Sequence, residues 1–343
     1  MQAAFGPTAG AVTEALTLGT LACGLPTVVV AGDSSFAAAL DAGTGVQVAG
    51  GLSLLLFAAW VNLRGIRVSS HVQQILAAVF IFILAVGVVW GILRYGDNPR
   101  PIVTDSDTWR AALSAFSSVC FAYTSLETLS FTTGEYTNPR RDFPIAVAAG
   151  YLIALVLYIG PAFAIQSALP RNVNSTEEAP VATLFTLLLG APGGTVIAFL
   201  GAAIVAANLI GAIWAMSRLF YASAGHQLVP AYFGAIHAVT QVPVRTVLTT
   251  TALLAGVSIS VSAGIISMNT LFSLAGQNFF LLYGLALLAF IRLAPGLRRI
   301  GGICTLIMVV LVSGSFDPGL AYPFVLALAA TGATLIRHKR SPT

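Results

Sequence analysis

The chain has 343 residues, 57% of them hydrophobic and only 8% charged, with a formal net charge of +4; a soluble domain carries about 25% charged residues. Its mean hydropathy is +0.90, and apolar runs of about 20 residues, the length that crosses a bilayer as a helix, recur along it. These figures exclude a water-soluble globular domain and a transmembrane barrel, whose strands alternate in segments of about ten. They predict an all-α, polytopic membrane protein.

Apolar runs bounded by charge, Gly and Pro predict ten spans in a single transmembrane domain covering 1–343. In chain order they lie at roughly 12–32, 46–63, 72–93, 109–136, 143–166, 195–222, 244–262, 267–291, 298–314 and 319–336. The start, Met1 to Pro7, lacks a basic region, so no cleavable signal peptide is expected. The first span contains Cys23-Gly24-Leu25-Pro26, where proline removes a helical hydrogen bond and kinks the axis. That kink either borders a cavity or is one of the prolines common in membrane helices. The third span has no Lys or Arg between 75 and 93, so it offers no mobile cationic proton carrier. The apolar stretch at 180–190 is expected to be a connecting helix at the surface. In the span 267–291, Ser273, Gln277 and Asn278 stand in apolar surroundings, and interhelical hydrogen bonding is their ordinary use.

Loop charge orients the chain. With both termini cytoplasmic, the inner side holds Arg64, Arg67, Arg140, Arg141, Arg218, Arg245, Arg292, Arg298, Arg299, Arg337, Lys339 and Arg340. The outer side holds Arg94, Arg100, Arg110 and Arg171, together with Asp33, Asp41, Asp97, Asp105, Asp107, Glu177, Glu178 and Asp317. Twelve basic residues inside against four outside follow the positive-inside rule, and a wrong span count would scramble that alternation.

Several function classes drop out. The basic residues sit at helix ends and in loops rather than on one face, which argues against nucleic-acid binding. Cys23, Cys120 and Cys304 are far apart in apolar segments and read as small buried hydrophobes, not as metal or disulfide ligands. His71, His226, His237 and His338 show no metal-ligand spacing and map to the cytoplasmic edge. No Gly-rich phosphate loop or catalytic set is present, so neither an enzyme, a cofactor nor ATP-driven pumping is expected. The Asn174-Ser175-Thr176 sequon falls in an outer loop and carries no functional weight.

The fourth span carries Glu127 in the run Phe121-Ala122-Tyr123-Thr124-Ser125-Leu126-Glu127. Hydrocarbon penalises a carboxylate by about 2.5–3.5 kcal/mol on insertion scales, so such a group is kept where it faces protein, water or a solute. The residues before it are small or polar where a spanning helix favours Leu and Ile. One reading is a helix broken near Ala122, Thr124 and Ser125, with free amides at one end of the break and carbonyls at the other. That arrangement suits the carboxylate and ammonium of a free amino acid. The other reading is a continuous helix whose small residues pack against neighbours. Phe121 and Tyr123 then either close over a solute or simply pack. Glu127 has three possible roles: anchoring unwound backbone, carrying a coupling proton, or contacting substrate.

This run, followed by Glu135-Tyr136-Thr137-Asn138-Pro139-Arg140-Arg141-Asp142-Phe143-Pro144, resembles the sixth helix and following loop of amino acid–polyamine–organocation (APC) permeases. The stretch from Arg218 to Pro230 resembles the end of the family's eighth helix and its inner loop, and Ala4-Phe5-Gly6-Pro7 the approach to its third. The resemblance covers essentially the whole chain and is most similar to bacterial methionine and branched-chain amino-acid exporters. It implies two inverted five-helix repeats plus two extra helices, with alternating access around a midplane site. It implies Phe121 as the gating aromatic, Ala122, Tyr123, Thr124 and Ser125 as the unwound substrate-contacting segment, and Glu127 as the family glutamate. Ser125 departs from the family's usual Gly, and the chain begins where the third helix would begin, so ten helices are expected in place of twelve. The resulting expectation is secondary active transport of neutral or apolar amino acids, efflux favoured, across the cytoplasmic membrane. The alternative is a truncated, non-transporting membrane protein with a binding or partner role.

Overall fold

The computed structural model describes residues 1–40, 44–64, 67–97, 109, 112, 137–168, 180–237, 242–313 and 321–340. Among them the regular structure is helical: α1 (Gln2–Phe5), α2 (Pro7–Leu40), α3 (Thr44–Arg64), α4 (Arg67–Tyr95), α5 (Pro139–Ala168), α6 (Pro180–Leu189), α7 (Ala191–Gly225), α8 (Val244–Ser262), α9 (Met268–Leu293), α10 (Leu297–Ser313) and α11 (Ala321–Arg340), with a 3₁₀ turn at Ala231–Gly234. Among the described residues, seven stretches are long and apolar enough to cross a membrane: 7–32, 45–64, 74–95, 139–168, 192–225, 244–262 and 268–293. Apart from Trp109 and Ala112, the predicted span 109–136 lies outside the described residues.

Local chemistry sets the helix ends. At the start of α5, Pro139 occupies the first helical position, where its missing N–H costs nothing. The Asp142 carboxylate there accepts from the Asn138 backbone N–H at 3.3 Å, and a negative charge suits a helix N-terminus. The segment from Pro139 to Pro144, which the family resemblance reads as loop, is therefore the opening of α5. Ser267 caps α9 by accepting from the Thr270 N–H at 3.0 Å. Between α9 and α10 the chain turns through Ala294-Pro295-Gly296, with Gly296 at φ 62°.

The described residues fall into two compact units. The first contains Met1–Thr27 and the chain from Trp214 onward. Its apolar centre is Cys23, Leu271 and Ala275, covered by Val257, Val261, Ile266, Leu274 and Tyr322. Leu271 and Ala275, four apart, lie on one face of α9. The second unit contains the described residues of 28–97 together with those from 137 to Ile213. There Leu84 and Val88 of α4 pack with Ala164 of α5, Leu184 and Phe185 of α6 and Ile197 of α7. Gly87 makes this possible, since a Cβ on it would run into the Phe185 ring. Asn62 ties α3 to α7 in this unit, donating to the carbonyls of Ala58 at 2.9 Å and Ile210 at 3.0 Å.

Several hydroxyls inside the helices are satisfied within their own helix. Thr13, Thr17 and Thr20 each donate to the carbonyl four residues back at 2.8 Å, so α2 carries hydroxyls without leaving them bare. The outward faces are apolar instead. On α4 and α5, Phe82 and Val156 are each 69% exposed and Leu93 79%, joined by Ile75, Val86, Val89, Leu152, Ile153 and Ile159. Exposing one such side chain to water forfeits about 1.5–3 kcal/mol. Nine of them outweigh the roughly 5–15 kcal/mol that stabilises a whole domain. These faces require an apolar solvent, and the helices that bear them keep their backbone hydrogen bonds internal. The chain is a multi-pass, all-α membrane protein.

Candidate functional site

Phe121, Ala122, Tyr123, Thr124, Ser125 and Glu127 lie outside the described residues. Two polar constellations stand within them, both in the first unit.

The first lies midway along α2 and α9. The Asn278 side-chain N–H₂ donates to the Leu16 carbonyl at 2.8 Å and to Thr20 Oγ1 at 2.9 Å. Asn278 and Thr20 are fully buried. One turn further, the Tyr322 hydroxyl of α11 donates to the Gly19 carbonyl at 3.0 Å, and the Cys23 thiol lies 3.4 Å from that hydroxyl. Three helices meet on a small-residue patch, a usual device where lipid supplies no hydrophobic drive for helix association. The polar residues of 267–291 thus do structural work: Asn278 bonds across helices, and Gln277 donates to Ser273 within α9 at 3.2 Å. Asn278 Oδ1 is buried and meets no donor.

Near Pro26, α2 continues as helix. Pro26 has no N–H for the Ala22 carbonyl one turn before it, and next to it the Thr27 hydroxyl donates to the Gly24 carbonyl at 2.5 Å. Ser258 of α8 donates to the Pro26 carbonyl at 3.3 Å, which fastens α8 at this point.

The second constellation is at the end of α7. Ser223 Oγ donates to Glu14 Oε1, and His226 Nδ1 sits 3.0 Å from Glu14 Oε2. The Glu14 side chain is 13% exposed and the imidazole 65% exposed. The helix stops here through a Schellman motif: Leu228 N–H donates to the Ser223 carbonyl and Gln227 N–H to the Ala224 carbonyl, with Gln227 at φ 57°. Beyond it, Phe233 packs against Phe220 and edge-on to Tyr232, while Arg245 lies 4.4 Å over the Tyr232 ring and donates to its carbonyl. Within α7, the Arg218 guanidinium stacks 4.7 Å over Trp214. Among the described residues no group of His, Cys, Asp and Glu is placed to hold a metal ion.

Sequence reasoning missed the Glu14 pairing. Glu14 is 209 residues from Ser223 and 212 from His226, and no spacing rule links positions so far apart. The one available signal was a carboxylate inside the first apolar run.

Comparison with known proteins decides the family. The profile described as Amino acid permease matches residues 1–295. The chain belongs to this family. Over 336 residues it is 26% identical to the uncharacterized amino acid permease YecA of Bacillus subtilis (strain 168), covering 96% of the chain and 78% of that protein. It is 27% identical over 205 residues to the chloroplastic cationic amino acid transporter 9 of Arabidopsis thaliana, covering 57% of the chain and 35% of that protein. A third relative, the methylthioribose transporter of Bacillus subtilis (strain 168), is 24% identical over 228 residues, 66% of the chain and 47% of that protein. The aligned part of the chain thus spans about a third of the length of the plant transporter. The family is one of permeases, not of enzymes.

Proposed function

We propose that this permease carries amino acids across the cytoplasmic membrane by alternating access, as a secondary transporter of ten spans with both termini inside. The match to the amino acid permease family over residues 1–295 carries the reading. The substrate site in it is the stretch Phe121 to Ser125, with Phe121 as gate and Glu127 supporting the break. Neutral or apolar side chains are the preferred cargo. Within the described spans the carboxylate of Glu14 is already engaged by Ser223 and His226, so it is not offered to a cationic substrate. Export, the favoured direction, rests on the resemblance to bacterial methionine and branched-chain exporters alone.

The test is flux of labelled methionine, leucine and lysine in vesicles reconstituted with the purified chain. Methionine or leucine uptake above that of empty vesicles is expected, with lysine at background. Background flux for all three overturns the reading, and lysine flux alone overturns its substrate class. In the same vesicles Glu127→Gln is expected to insert normally and to lower the transport rate; unchanged turnover across pH removes Glu127 from the mechanism.

A further inference from the structure

We propose that the turn joining α9 to α10 docks the headgroup of an anionic phospholipid, held by Arg292, Arg298 and Arg299. The three stand in a region of surplus positive charge. Among the described residues of the first unit, Glu14 is the one acidic side chain, and Ser223 and His226 already hold it. Among the described residues no carboxylate forms an ion pair with any of the three arginines.

Packing brings them together. Gly302 of α10 lies so close to α9 that a Cβ on it would stand 2.9 Å from Phe290 and 3.0 Å from Ile291. Arg298 and Arg299 precede Gly302 by four and three residues, so both flank the α9-facing side of α10, one turn nearer the connection. Arg292 directly follows Ile291 in α9. All three therefore gather about Ala294-Pro295-Gly296, and all three are exposed. The Arg292 guanidinium lies 5.2 Å over the Phe5 ring. Stacking occupies one of its faces and leaves the in-plane N–H groups, the forked donors that match phosphate oxygens, open to a ligand.

The charges suit the two helices differently. Arg292 is in the last turn of α9, where a cation complements the carbonyl end. Arg298 and Arg299 open α10, whose first turn has no acidic residue. The amide end of a helix is itself positive, so two cations there are repelled unless an anion joins them. A phosphate in this position meets guanidinium forks and the first amides of α10, which have no carbonyl partner within the helix.

Depth favours a lipid over a free anion. The span 268–293 ends here, and Leu293 and Leu297 on either side of the turn, with Ile300 one turn on, are exposed apolar side chains. The arginines thus stand where hydrocarbon gives way to phosphate, beside apolar side chains that meet the acyl chains of the same molecule. Orientation needs basic residues only on the proper side of the membrane; a bound phospholipid accounts also for their convergence on one turn.

The test measures lipid binding by the purified full chain and needs no amino-acid substrate, so a chain without flux leaves it intact. Native mass spectrometry in detergent is expected to show phosphatidylglycerol retained more tightly than phosphatidylcholine. In the double variant Arg298→Gln, Arg299→Gln that retention is expected to weaken by about tenfold or more. Arg140→Gln, Arg141→Gln removes the same charge from the exposed start of α5 and is expected to leave it unchanged. In nanodiscs, replacing part of the phosphatidylcholine by phosphatidylglycerol is expected to slow hydrogen exchange from Leu293 to Ile300 in the native chain, and not in the Arg298→Gln, Arg299→Gln chain. Equal retention by these two chains overturns the proposal. So does an equal loss in the Arg140→Gln, Arg141→Gln chain, which would mean a diffuse response to net charge. Inorganic phosphate that protects the turn equally in phosphatidylcholine alone overturns it in favour of a free-anion site. If the double variant does not fold, Arg292→Gln decides by the same comparisons.

Discussion

Gly19 sits where α2, α9 and α11 converge, and the space beside it is already taken. A Cβ there would strike the Leu326 side chain, stand 2.9 Å from the Tyr322 hydroxyl and 3.3 Å from Asn278 Nδ2. The leucine can swing aside, but the tyrosine is held by its bond to the Gly19 carbonyl itself. Gly19→Ala is therefore expected to cost about 1–3 kcal/mol, the usual range for overpacking, and Gly19→Leu to prevent assembly of the first unit. Denaturation of the detergent-solubilised protein measures the first, and loss of a folded monomer shows the second. Asn278 tests the adjoining polar link. Asn278→Leu removes two interhelical hydrogen bonds but also a buried acceptor that meets no donor. Membrane hydrogen bonds contribute about 0.6 kcal/mol each on average, so the net loss is expected to stay near 1 kcal/mol. A loss several times larger would mean that Asn278 binds more than these two groups.

At the scale of the element, the end of α7 shows what was and was not readable in advance. Its helix was legible, because a long apolar run followed by Gly225 and Pro230 signals a helix and its stop. The left-handed position of the stop was not, since Gln227 occupies it where Gly is usual. Placing a side chain in that conformation costs about 1–2 kcal/mol, more when it is branched at Cβ. Gln227→Val is accordingly expected to lower the unfolding midpoint, by about 1–2 kcal/mol of stability, while Gln227→Gly leaves it unchanged or raises it. The opposite order would mean that the Gln227 side chain outweighs its backbone strain. Similar limits applied elsewhere. The residue type of Asn278 announced an interhelical bond, but only the packing named Leu16 and Thr20 as its partners. Glu14 stood out as a carboxylate in an apolar run, but its pairing with His226 was not legible, because the two residues meet only through tertiary folding. The stretch Phe121 to Glu127 remains a reading of motif alone.

At the scale of the molecule, the decisive fact is which solvent each face meets. In a water-soluble protein an exposed valine replaced by arginine changes stability by less than about 0.5 kcal/mol. Val156 on α5 is 69% exposed, and its neighbours Leu152, Ile153 and Ile159 are exposed as well. None of the most apolar 18-residue window of α5 is buried within the protein. In a bilayer that face touches hydrocarbon, where a central arginine costs about 2.5–3.5 kcal/mol on insertion scales. Val156→Arg is thus expected to shift α5 from nearly complete insertion toward a mixture of inserted and translocated chains, read by glycosylation reporters placed on either side of the helix. Ala164→Val, on the protein-facing side of the same helix where Ala164 is fully buried, should insert normally and instead destabilise the second unit by overpacking against Leu184 and Gly91. Equal behaviour of the two variants would show that α5 does not face lipid, because only a hydrocarbon surround distinguishes a charge on one face from a methyl group on the other.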